Sequence, residues 1–323
     1  MTALRWGLLS TARIGGALAH GARATDAAEV VSVASRDEGR ARAHAALVGA
    51  SRWHGSYEAL LADPELDAVY NPLPNSMHAE WSIKALQAGK HVLCEKPLGR
   101  RVADVEEAFD AADASGRVLA EGFMWRHTPQ AAKLRELLDS GAIGTLRSIR
   151  AGFSFPLTDQ QDIRMLRALD GGSLMDLGCY CVSGARFITG AEPERVHGEQ
   201  VIGGDGVDVA FAATLRFPGD VLAQFECSFQ AARRHDLEAV GEEGVIRLSD
   251  PWHGREPVIE LRRDGDDGVE RIEVEAVDAY AAELEEFARV AAGSPPRWGR
   301  EDALAQAAII QALYASAEAG ETP

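Results

Sequence analysis

The stretch His91-Val92-Leu93-Cys94-Glu95-Lys96-Pro97 joins a β-prone apolar run to a lone lysine between an acid and a proline. Proline fixes its own φ angle and keeps the preceding residue out of helical geometry, so the strand predicted at 91–94 cannot pass directly into a helix. In an α/β sheet, an ammonium at the carboxyl end of a strand points into the ligand crevice. Lys96 is therefore a candidate functional residue, although a lysine in such a place is by itself more often an ordinary loop residue.

The chain around this stretch, residues 1–122, alternates short β-like runs with helical segments. The predicted strands are Leu4–Leu9, Val30–Ala34, Ala68–Asn71, His91–Cys94 and Val118–Gly122. The predicted helices are Ile14–Ala24, Glu38–Leu47, Tyr57–Ala62, Met77–Ala88 and Val102–Ala114. This alternation predicts an α/β fold with a doubly wound parallel sheet, and ligands are expected above the carboxyl ends of its strands.

The first predicted strand runs into Gly7-Leu8-Leu9-Ser10-Thr11-Ala12-Arg13-Ile14-Gly15, where a dinucleotide-binding fingerprint belongs. The Gly-x-Gly-x-x-Gly pattern survives only as Ser10-x-Ala12-x-x-Gly15. Small residues there still allow backbone amides and a helix N-terminus to approach a pyrophosphate, and Ser10 and Thr11 can add hydroxyl donors. The same residues would also make a plain helix cap, so this turn alone leaves both interpretations open.

Ser35-Arg36-Asp37 follows the second predicted strand. NAD-binding proteins usually place an acid about twenty residues after the fingerprint, to bind the ribose 2′-hydroxyl. Here that place holds a serine with an arginine next to it, and the two can hold a 2′-phosphate. The pattern predicts NADP. NAD stays possible through Asp37, and Arg36 could also be a solvated residue at a helix start.

Asn71-Pro72-Leu73-Pro74-Asn75-Ser76-Met77-His78 follows the strand at 68–71. The prolines stop the strand, and Asn75 or Ser76 caps the next helix. Such a turn can lie against the nicotinamide ribose, or it can simply connect a strand to a helix. We expect His78 to pack or cap rather than to bind a ligand as its first role.

The bulk composition limits the possible classes of protein. A chain of 323 residues predicts two domains, which we place at 1–122 and 123–323. The formal net charge of −17 argues against nucleic acid or an anionic membrane as a partner. The absence of a signal-peptide pattern and of a long apolar stretch predicts a cytoplasmic protein. The four cysteines and nine histidines show no Cys-x-x-Cys or His-x-x-x-His spacing, so we expect reduced thiols and no metal site.

The pattern of residues 123–323 predicts an α+β domain. Apolar residues alternate from Val207 to Phe217 and from Val221 to Phe229, with Asp208, Thr214 and Arg216 on the opposite face. Further strands are predicted at Leu146–Phe155, Leu237–Val240, Gly244–Leu248, Val258–Arg262 and Glu270–Val274, and helices at Gln130–Ser140, Ser173–Ile188, Tyr280–Ala292 and Arg300–Ala319. Successive strands with short turns predict a large, mostly antiparallel open sheet.

The helix after Gly171-Gly172 carries Asp176 and Tyr180 four residues apart, hence on one face. If this face points at the ligand crevice, both side chains approach Lys96. The alternative is an ordinary helix face with a buried acid and a buried ring.

In this order and spacing, Gly7–Gly15, Asn71–His78 and Glu95-Lys96-Pro97 resemble the Gfo/Idh/MocA oxidoreductase family. Gly122-Phe123-Met124-Trp125-Arg126 resembles that family's segment between domains, and Gly171–Tyr180 resembles its Gly-Gly-x-x-x-Asp-x-Gly-x-His motif. Tyr180 replaces the motif's histidine. Together with the Leu8–Ile14 start, it is similar to the branch of dimeric dihydrodiol dehydrogenases and NADP-dependent D-xylose dehydrogenases. This departure puts the substrates of the inositol dehydrogenases in doubt for this chain.

The resemblance implies a dinucleotide-binding Rossmann domain, a substrate-binding and oligomerisation domain, and a homodimer or homotetramer formed through the C-terminal sheet, whose outer face could equally be solvated. The candidate catalytic residues are Lys96, Tyr180 and Asp176. The candidate cofactor contacts are Ser10, Thr11, Ala12, Arg13, Ile14, Ser35, Arg36, Asn71, Pro72, Leu73, Asn75, His78, Glu95, Lys96, Trp125 and Arg126. The candidate substrate contacts are Trp125, Phe153, Arg164 and Tyr180.

Oxidation of a carbinol needs a hydride acceptor, a base for the hydroxyl proton and a group that stabilises the alkoxide. Free tyrosine and lysine titrate near ~10 and ~10.4, so neither is a ready base at neutral pH. An ammonium at Lys96 would stabilise the phenolate of Tyr180 and lower its pKa. We therefore expect Tyr180 to transfer the proton, Lys96 to polarise the same oxygen, and Asp176 to orient the lysine or a substrate hydroxyl.

The predicted function is hydride transfer between nicotinamide, with NADP favoured, and a secondary carbinol or carbonyl of a sugar, polyol or dihydrodiol. Two alternatives stay open: reduction of a 3-keto or nucleotide-linked sugar, and a non-catalytic NADP-responsive regulator on the same scaffold. We expect the loops around 153–170 and 230–255 to decide the substrate.

Overall fold

The computed structural model describes residues 3–320. They form two compact units. The first contains the described residues up to Met124 together with Asp278–Leu304, and the second contains Trp125–Val277 and the described residues from Ala305 onward. Within residues 3–320, no helix combines the length and the apolar character needed to cross a membrane.

The first unit is built on a parallel sheet whose strands are β1 (Leu4–Leu8), β2 (Ala28–Ala34), β3 (Arg52–His54), β4 (Ala68–Asn71), β5 (His91–Glu95) and β6 (Leu119–Gly122). Its helices are α1 (Ile14–Arg23), α2 (Glu38–Val48), α3 (Tyr57–Leu61), α4 (His78–Gln87) and α5 (Val102–Ser115). The strand order is β3-β2-β1-β4-β5-β6, so the order reverses between β1 and β4. This is the doubly wound sheet that the alternating pattern predicts, with β3 as an additional edge strand.

The second unit is built on an eight-stranded sheet. Its strands are β7 (Leu146–Ser154), β8 (Arg195–Ile202), β9 (Asp208–Phe217), β10 (Val221–Ser228), β11 (Arg234–Gly241), β12 (Gly244–Leu248), β13 (Val258–Arg263) and β14 (Glu270–Glu273). They lie in the order β14-β13-β12-β11-β7-β10-β9-β8. Only the β7–β10 pair among these is parallel, which confirms the prediction of a mostly antiparallel sheet.

The helices of the second half are α6 (Pro129–Asp139), α7 (Cys179–Thr189), α8 (Ala279–Ala291) and α9 (Arg300–Gly320). Helix α8 packs in the core of the first unit, where the ring of Phe287 lies 4.9 Å from that of Trp6. Gly21 on α1 permits this contact, because a Cβ there would lie 2.7 Å from Cβ of Tyr280. The structure thus groups residues 278–304 with the N-terminal sheet, whereas the sequence placed them in the second domain.

All four cysteines are buried, and none is within a disulfide bond. Burial raises the pKa of the Cys94, Cys181 and Cys227 thiols well above the ordinary value. The thiols therefore stay protonated and behave as small apolar groups.

Candidate functional site

Four segments singled out in the sequence lie at one edge of the parallel sheet. The strands β2, β1, β4 and β5 are consecutive neighbours, and all are parallel. The segments 10–15, 35–37, 71–78 and 95–97 each follow the carboxyl end of one of these strands. Since ligands of open α/β sheets bind outside the carboxyl ends at the point of strand reversal, this edge between β1 and β4 is the candidate crevice.

The turn after β1 leaves the start of helix α1 open to an anion. Arg13 precedes the helix and makes no side-chain cap, and the first turn carries no acidic residue. The hydroxyl oxygen of Ser10 accepts a hydrogen bond from the Ala12 amide at 3.1 Å. Ser10 has a φ of +152°, a region where glycine is favoured, which explains why a glycine is usual at this fingerprint position. These features fit a pyrophosphate at the helix N-terminus.

In the segment after β2, Asp37 and Arg36, the two residues that could contact the ribose of the cofactor, have different surroundings. Asp37 caps helix α2 by accepting a hydrogen bond from the Arg40 amide at 2.7 Å. Ser35 accepts one from the Asp37 amide at 3.3 Å. Arg36 is exposed, and its side chain hydrogen-bonds to Tyr57. Burial raises the pKa of Tyr57, and Arg36 offsets part of this rise. The carboxylate of Asp37 thus serves the helix, while the guanidinium of Arg36 lies at the surface.

The segment after β4 is held by its own side chains. Asn71 is fully buried and donates hydrogen bonds from Nδ2 to the His78 carbonyl at 3.0 Å and to the Ser82 hydroxyl at 3.1 Å. Its Oδ1 accepts from the Leu73 amide at 3.3 Å. Asn71 therefore shapes the turn, and a direct contact between this side chain and the cofactor stays a prediction.

Two side chains, Tyr70 in β4 and His78 in α4, contact the residues on either side of Lys96. The hydroxyl of Tyr70 donates to Oε1 of Glu95. His78, 1% exposed, lies between the Leu73 carbonyl at 2.7 Å from Nε2 and the Pro97 carbonyl at 2.9 Å from Nδ1. The Lys96–Pro97 peptide bond is cis. His78 thus packs against the segment that carries Lys96 and helps to set its position, and a contact between His78 and the cofactor stays a prediction.

A neutral His78 has one N–H and can donate to only one of these two carbonyls, whereas the imidazolium could donate to both. Burial nevertheless dominates, and it lowers the pKa of His78 to about 4, with a smaller lowering effect from the charge of Lys96. At neutral pH the ring is therefore uncharged beside the lysine.

In the second unit, the Gly171-Gly172 turn is packed too closely for side chains. A Cβ on Gly171 would lie 2.3 Å from the Arg164 carbonyl oxygen, and one on Gly172 would lie 2.1 Å from Oδ1 of Asp208. Asp208 is 2% exposed and accepts hydrogen bonds at 2.7 Å from the Ser173 hydroxyl, the Leu174 amide and the Tyr314 hydroxyl. The sequence placed Asp208 on the polar sheet face, which is wrong because these donors hold it inside.

The segment after this turn departs from the predicted regular helix. Residues Leu174–Gly178 form one turn of π-helix, and α7 begins at Cys179. Such π-helical turns are often found at functional sites. Asp176 lies in this turn and accepts a hydrogen bond from Nε of Arg164 at 2.8 Å. The two candidate residues Asp176 and Arg164 are thus brought together as an ion pair.

Tyr180 lies in an aromatic cluster of the second unit. Its ring centroid is 5.5 Å from that of Phe153 and 5.7 Å from that of Trp252. Phe153 was a candidate substrate contact, and Trp252 was missed because it lies in an irregular loop. Tyr180 is 7% exposed, and a buried phenol is sensitive to any nearby charge.

Trp125 and Arg126 are both buried and share one partner. Nε1 of Trp125 and Nε of Arg126 donate to the Ser183 hydroxyl at 3.2 and 2.9 Å. Trp125 also packs edge-on against Phe187 at 5.1 Å between ring centroids. These contacts anchor the segment 124–127 on α7, and the roles of both residues toward the cofactor stay predictions.

A polar cluster that the sequence did not indicate lies beside Phe153. His235, Asp250 and His253 place ring nitrogens and a carboxylate oxygen within 4.8 Å of one another. Burial would raise the pKa of Asp250, but the two imidazoles and the Arg255 amide lower it to about 2. Burial lowers the pKa of His235. The histidines are eighteen positions apart, which is why a search for short spacing missed them.

The first unit is therefore of the dinucleotide-binding Rossmann class, with its ligand edge at the reversal between β1 and β4. Residues 4–123 match the description "Oxidoreductase family, NAD-binding Rossmann fold". Residues 131–247 match "GFO/IDH/MocA C-terminal domain". The chain belongs to the Gfo/Idh/MocA family of oxidoreductases. The predictions of family, fold class and an NAD(P)-dependent oxidoreductase are confirmed.

Three similar proteins have more specific descriptions. The chain is 38% identical to an NADP-dependent D-xylose 1-dehydrogenase of Haloferax volcanii, over 98% of both chains. It is 35% identical to the trans-1,2-dihydrobenzene-1,2-diol dehydrogenase of Mus musculus, over 81% of this chain and 79% of that protein. A 3-ketoreductase from Actinomadura kijaniata, solved in complex with NADP and TDP-benzene, superimposes with a TM-score of 0.91 and 34% identity, over 97% and 98% of the chains.

Proposed function

We propose that this protein transfers a hydride between NADP and a secondary carbinol or carbonyl of a sugar, polyol or dihydrodiol. The observation that carries the proposal is the shared carboxyl edge of three strands of the parallel sheet. The uncapped start of α1 follows β1, Arg36 follows β2, and Lys96 follows β5. This edge would provide a site for the pyrophosphate at the start of α1, the guanidinium of Arg36 for the 2′-phosphate, and the ammonium of Lys96 for the reacting oxygen.

The residues of the first unit fit the dinucleotide. The amides at the start of α1 would hold its pyrophosphate, because no side chain caps this helix and its first turn has no acidic residue. Arg36 would bind the 2′-phosphate, since Asp37 is occupied as the cap of α2. When bound, the nicotinamide supplies the site that accepts or donates the hydride.

Lys96 and Tyr180 would both act on the reacting oxygen of the substrate. In oxidation, Tyr180 would accept the hydroxyl proton while the ammonium of Lys96 stabilises negative charge on that oxygen. In reduction, Tyr180 would return the proton. Asp176, held by Arg164 at 2.8 Å, would orient a substrate hydroxyl or the lysine.

A second candidate substrate is a nucleotide-linked ketosugar. It is supported by the 3-ketoreductase noted above and by a 39% identical dTDP-3,4-didehydro-2,6-dideoxy-α-D-glucose 3-reductase of Streptomyces violaceoruber, over 88% of this chain and 85% of that protein. The chemistry at Tyr180 and Lys96 would be the same in the reducing direction. A substrate difference would then lie in the loops around 153–170 and 230–255.

Absorbance of the reduced cofactor tests these substrates directly. Polyols, aldoses and dihydrodiols are offered with NADP, and ketosugars, free and nucleotide-linked, are offered with NADPH. We expect turnover with at least one class. No turnover with any of them would refute the proposal and would favour a cofactor-responsive regulator.

The choice of NADP is tested by Arg36→Ala. Loss of the guanidinium should raise the KM for NADP at least tenfold while that for NAD changes little, since an Arg–phosphate contact contributes about 1.5–3 kcal/mol. Arg40→Ala is the matched control, because Arg40 is also an exposed arginine at the start of α2. Equal effects of Arg36→Ala on the two cofactors would contradict the assignment.

A cytoplasmic location and a homodimer or homotetramer formed through the C-terminal sheet complete the proposal. The outer face of this sheet has a groove of about 380 Å³ whose lining combines charged side chains, including Arg150, Glu199 and Arg234, with apolar ones, including Ala212 and Phe225. Sedimentation velocity measures the oligomeric state, and a monomer at micromolar concentration would contradict this part.

A further inference from the structure

The strand register brings together three side chains that the proposed hydride transfer does not use. Strands β11 and β12 are antiparallel, with Leu237 opposite Leu248, so continuing the register by two residues places His235 opposite Asp250. His235 is also paired with Phe153 of β7. His253 follows Asp250 within the same turn, and its ring centroid lies 5.2 Å from that of His235.

We propose that His235, Asp250 and His253 form a binding site for a divalent transition metal ion, with Zn²⁺ as the best fit. Nδ1 of His235 lies 3.3 Å and Nδ1 of His253 lies 3.5 Å from the same oxygen, Oδ1 of Asp250. In a tetrahedral site with metal–ligand bonds of about 2.0–2.1 Å, two ligands lie about 3.3–3.4 Å apart. The His235 distance matches this spacing, and the His253 distance exceeds it by about 0.1 Å, so small rotations of the side chains would complete the site.

The carboxylate is already oriented for this role. The Arg255 amide donates to Oδ2 of Asp250 at 3.2 Å, which leaves Oδ1 facing the imidazoles. Hydrogen bonds of this kind to the second oxygen commonly orient a ligating carboxylate. Gly254, with a φ of +61°, allows the tight turn that returns the Arg255 amide to Asp250. An anion is disfavoured at the same place by the negative charge of Asp250.

The chemistry of the three donors selects the class of ion. Two imidazoles and one carboxylate suit Zn²⁺, Co²⁺ or Ni²⁺ rather than Mg²⁺ or Ca²⁺, which prefer oxygen ligands alone. Three protein ligands leave the fourth tetrahedral position open to water or to an oxygen of a ligand. The side chains are 14%, 18% and 28% exposed, in the order His235, Asp250, His253, so solvent can reach the position.

One feature limits the affinity. Nε2 of His235 is buried and has no hydrogen-bond partner among residues 3–320. A metal at Nδ1 would leave the ring proton on this nitrogen without an acceptor, and loss of such an outer contact weakens metal binding about 10- to 100-fold. We therefore expect micromolar binding of zinc rather than the much tighter binding of a structural zinc site.

Zinc titration of the full-length, tag-free protein after chelator treatment tests the site. Isothermal calorimetry should give one Zn²⁺ per chain, and Asp250→Asn and His253→Gln should each weaken binding at least tenfold. His197→Gln is the matched control, because Nε2 of His197 also lies near a carboxylate, 3.5 Å from Oε1 of Glu199, on an exposed part of the same unit. It should bind zinc as the unmodified protein does.

Cobalt provides a readout that needs no variant. Co²⁺ bound to the unmodified protein should give the intense visible absorption of a tetrahedral site, and Zn²⁺ should displace it. Absence of saturable one-to-one zinc binding, a weak octahedral cobalt spectrum, or unchanged affinity in both ligand variants would each overturn the proposal. None of these readouts depends on turnover, so they are independent of the proposed hydride transfer.

Discussion

The buried imidazole of His78 predicts an acid-sensitive first unit. Its pKa is about 4 in the folded protein against an ordinary value of 6.5, so the unfolded chain binds an extra proton between these pH values. Stability contributed by the uncharged ring is present above pH 6.5 and is lost as the pH falls toward 4. The full difference of about 2.5 pKa units corresponds to roughly 3 kcal/mol, of which about 2 kcal/mol is lost between pH 7 and pH 5.

The assay is urea unfolding followed by circular dichroism at pH 7, 6 and 5, for the unmodified protein and for His78→Gln. The variant lacks the two contacts with the Leu73 and Pro97 carbonyls and should be less stable at pH 7. Between pH 7 and pH 5, however, the unfolding free energy of the variant should fall by about 2 kcal/mol less than that of the unmodified protein, because glutamine does not titrate.

The control for this experiment is His20→Gln, since the His20 side chain is 74% exposed. This substitution reports the effect of a histidine-to-glutamine change at an exposed position. If His78→Gln keeps the slope of the unmodified protein, the ring does not titrate with a lowered pKa. A neutral imidazole beside Lys96 at neutral pH would then be ruled out.

Two further predictions concern the packing around the proposed site. Gly172→Ala should lower the unfolding free energy by roughly 2–4 kcal/mol, because the new Cβ would meet Asp208 and the φ of this residue is +126°. Gly190 has a φ of +63° and open space around it, so Gly190→Ala should lower the unfolding free energy by only about 1 kcal/mol. Urea melts measure both effects. Glu283 is 3% exposed, and neither of its carboxyl oxygens has a hydrogen-bond partner in the described part of the chain. Burial, and then the charge of Glu95, raise the pKa of Glu283 well above its ordinary value, so the folded state keeps a proton that the unfolded state releases. Glu283→Gln should therefore gain stability relative to the unmodified protein as the pH rises from 5 to 7, by up to about 1.4 kcal/mol per pH unit; parallel pH profiles of the two proteins would contradict a protonated Glu283.

The sequence predicts most of the parallel sheet because its strands are apolar runs that end in turn residues. The strand at 91–95 and its Glu-Lys-Pro ending are of this kind. Two strands were not predicted, and both lack the pattern. Strand β3 has three residues, Arg52–His54, and β8 lies at the edge of its sheet with mostly exposed or half-buried side chains. Neither offers a clear apolar alternation.

What the sequence could not predict depends on partners far along the chain. Asp208 is buried because Tyr314 and Ser173 donate to it across 106 and 35 positions. Helix α8 joins the first unit because Phe287 meets Trp6. The His235–Asp250–His253 cluster arises only when the register of β11 and β12 is known. Residue spacing indicates local structure, whereas these contacts are set by tertiary packing.

The central claim is that Tyr180 transfers the proton and Lys96 stabilises the charge on the substrate oxygen. Turnover of Tyr180→Phe and Lys96→Met should each fall by about 10²- to 10⁴-fold, the usual contribution of a positioned proton donor or acceptor. The dissociation constant for NADP, measured by quenching of protein fluorescence, should stay within about twofold for Tyr180→Phe. Lys84→Met is the control for the lysine, because Lys84 lies on the surface of α4 paired with Glu80.

The most direct measurement is the single-turnover rate of Tyr180→Phe with the substrate found in the screen and saturating NADP or NADPH, whichever that substrate requires. We predict a loss of at least about 100-fold in the rate of hydride transfer, with the cofactor still bound. A rate near that of the unmodified protein would contradict the assignment of Tyr180.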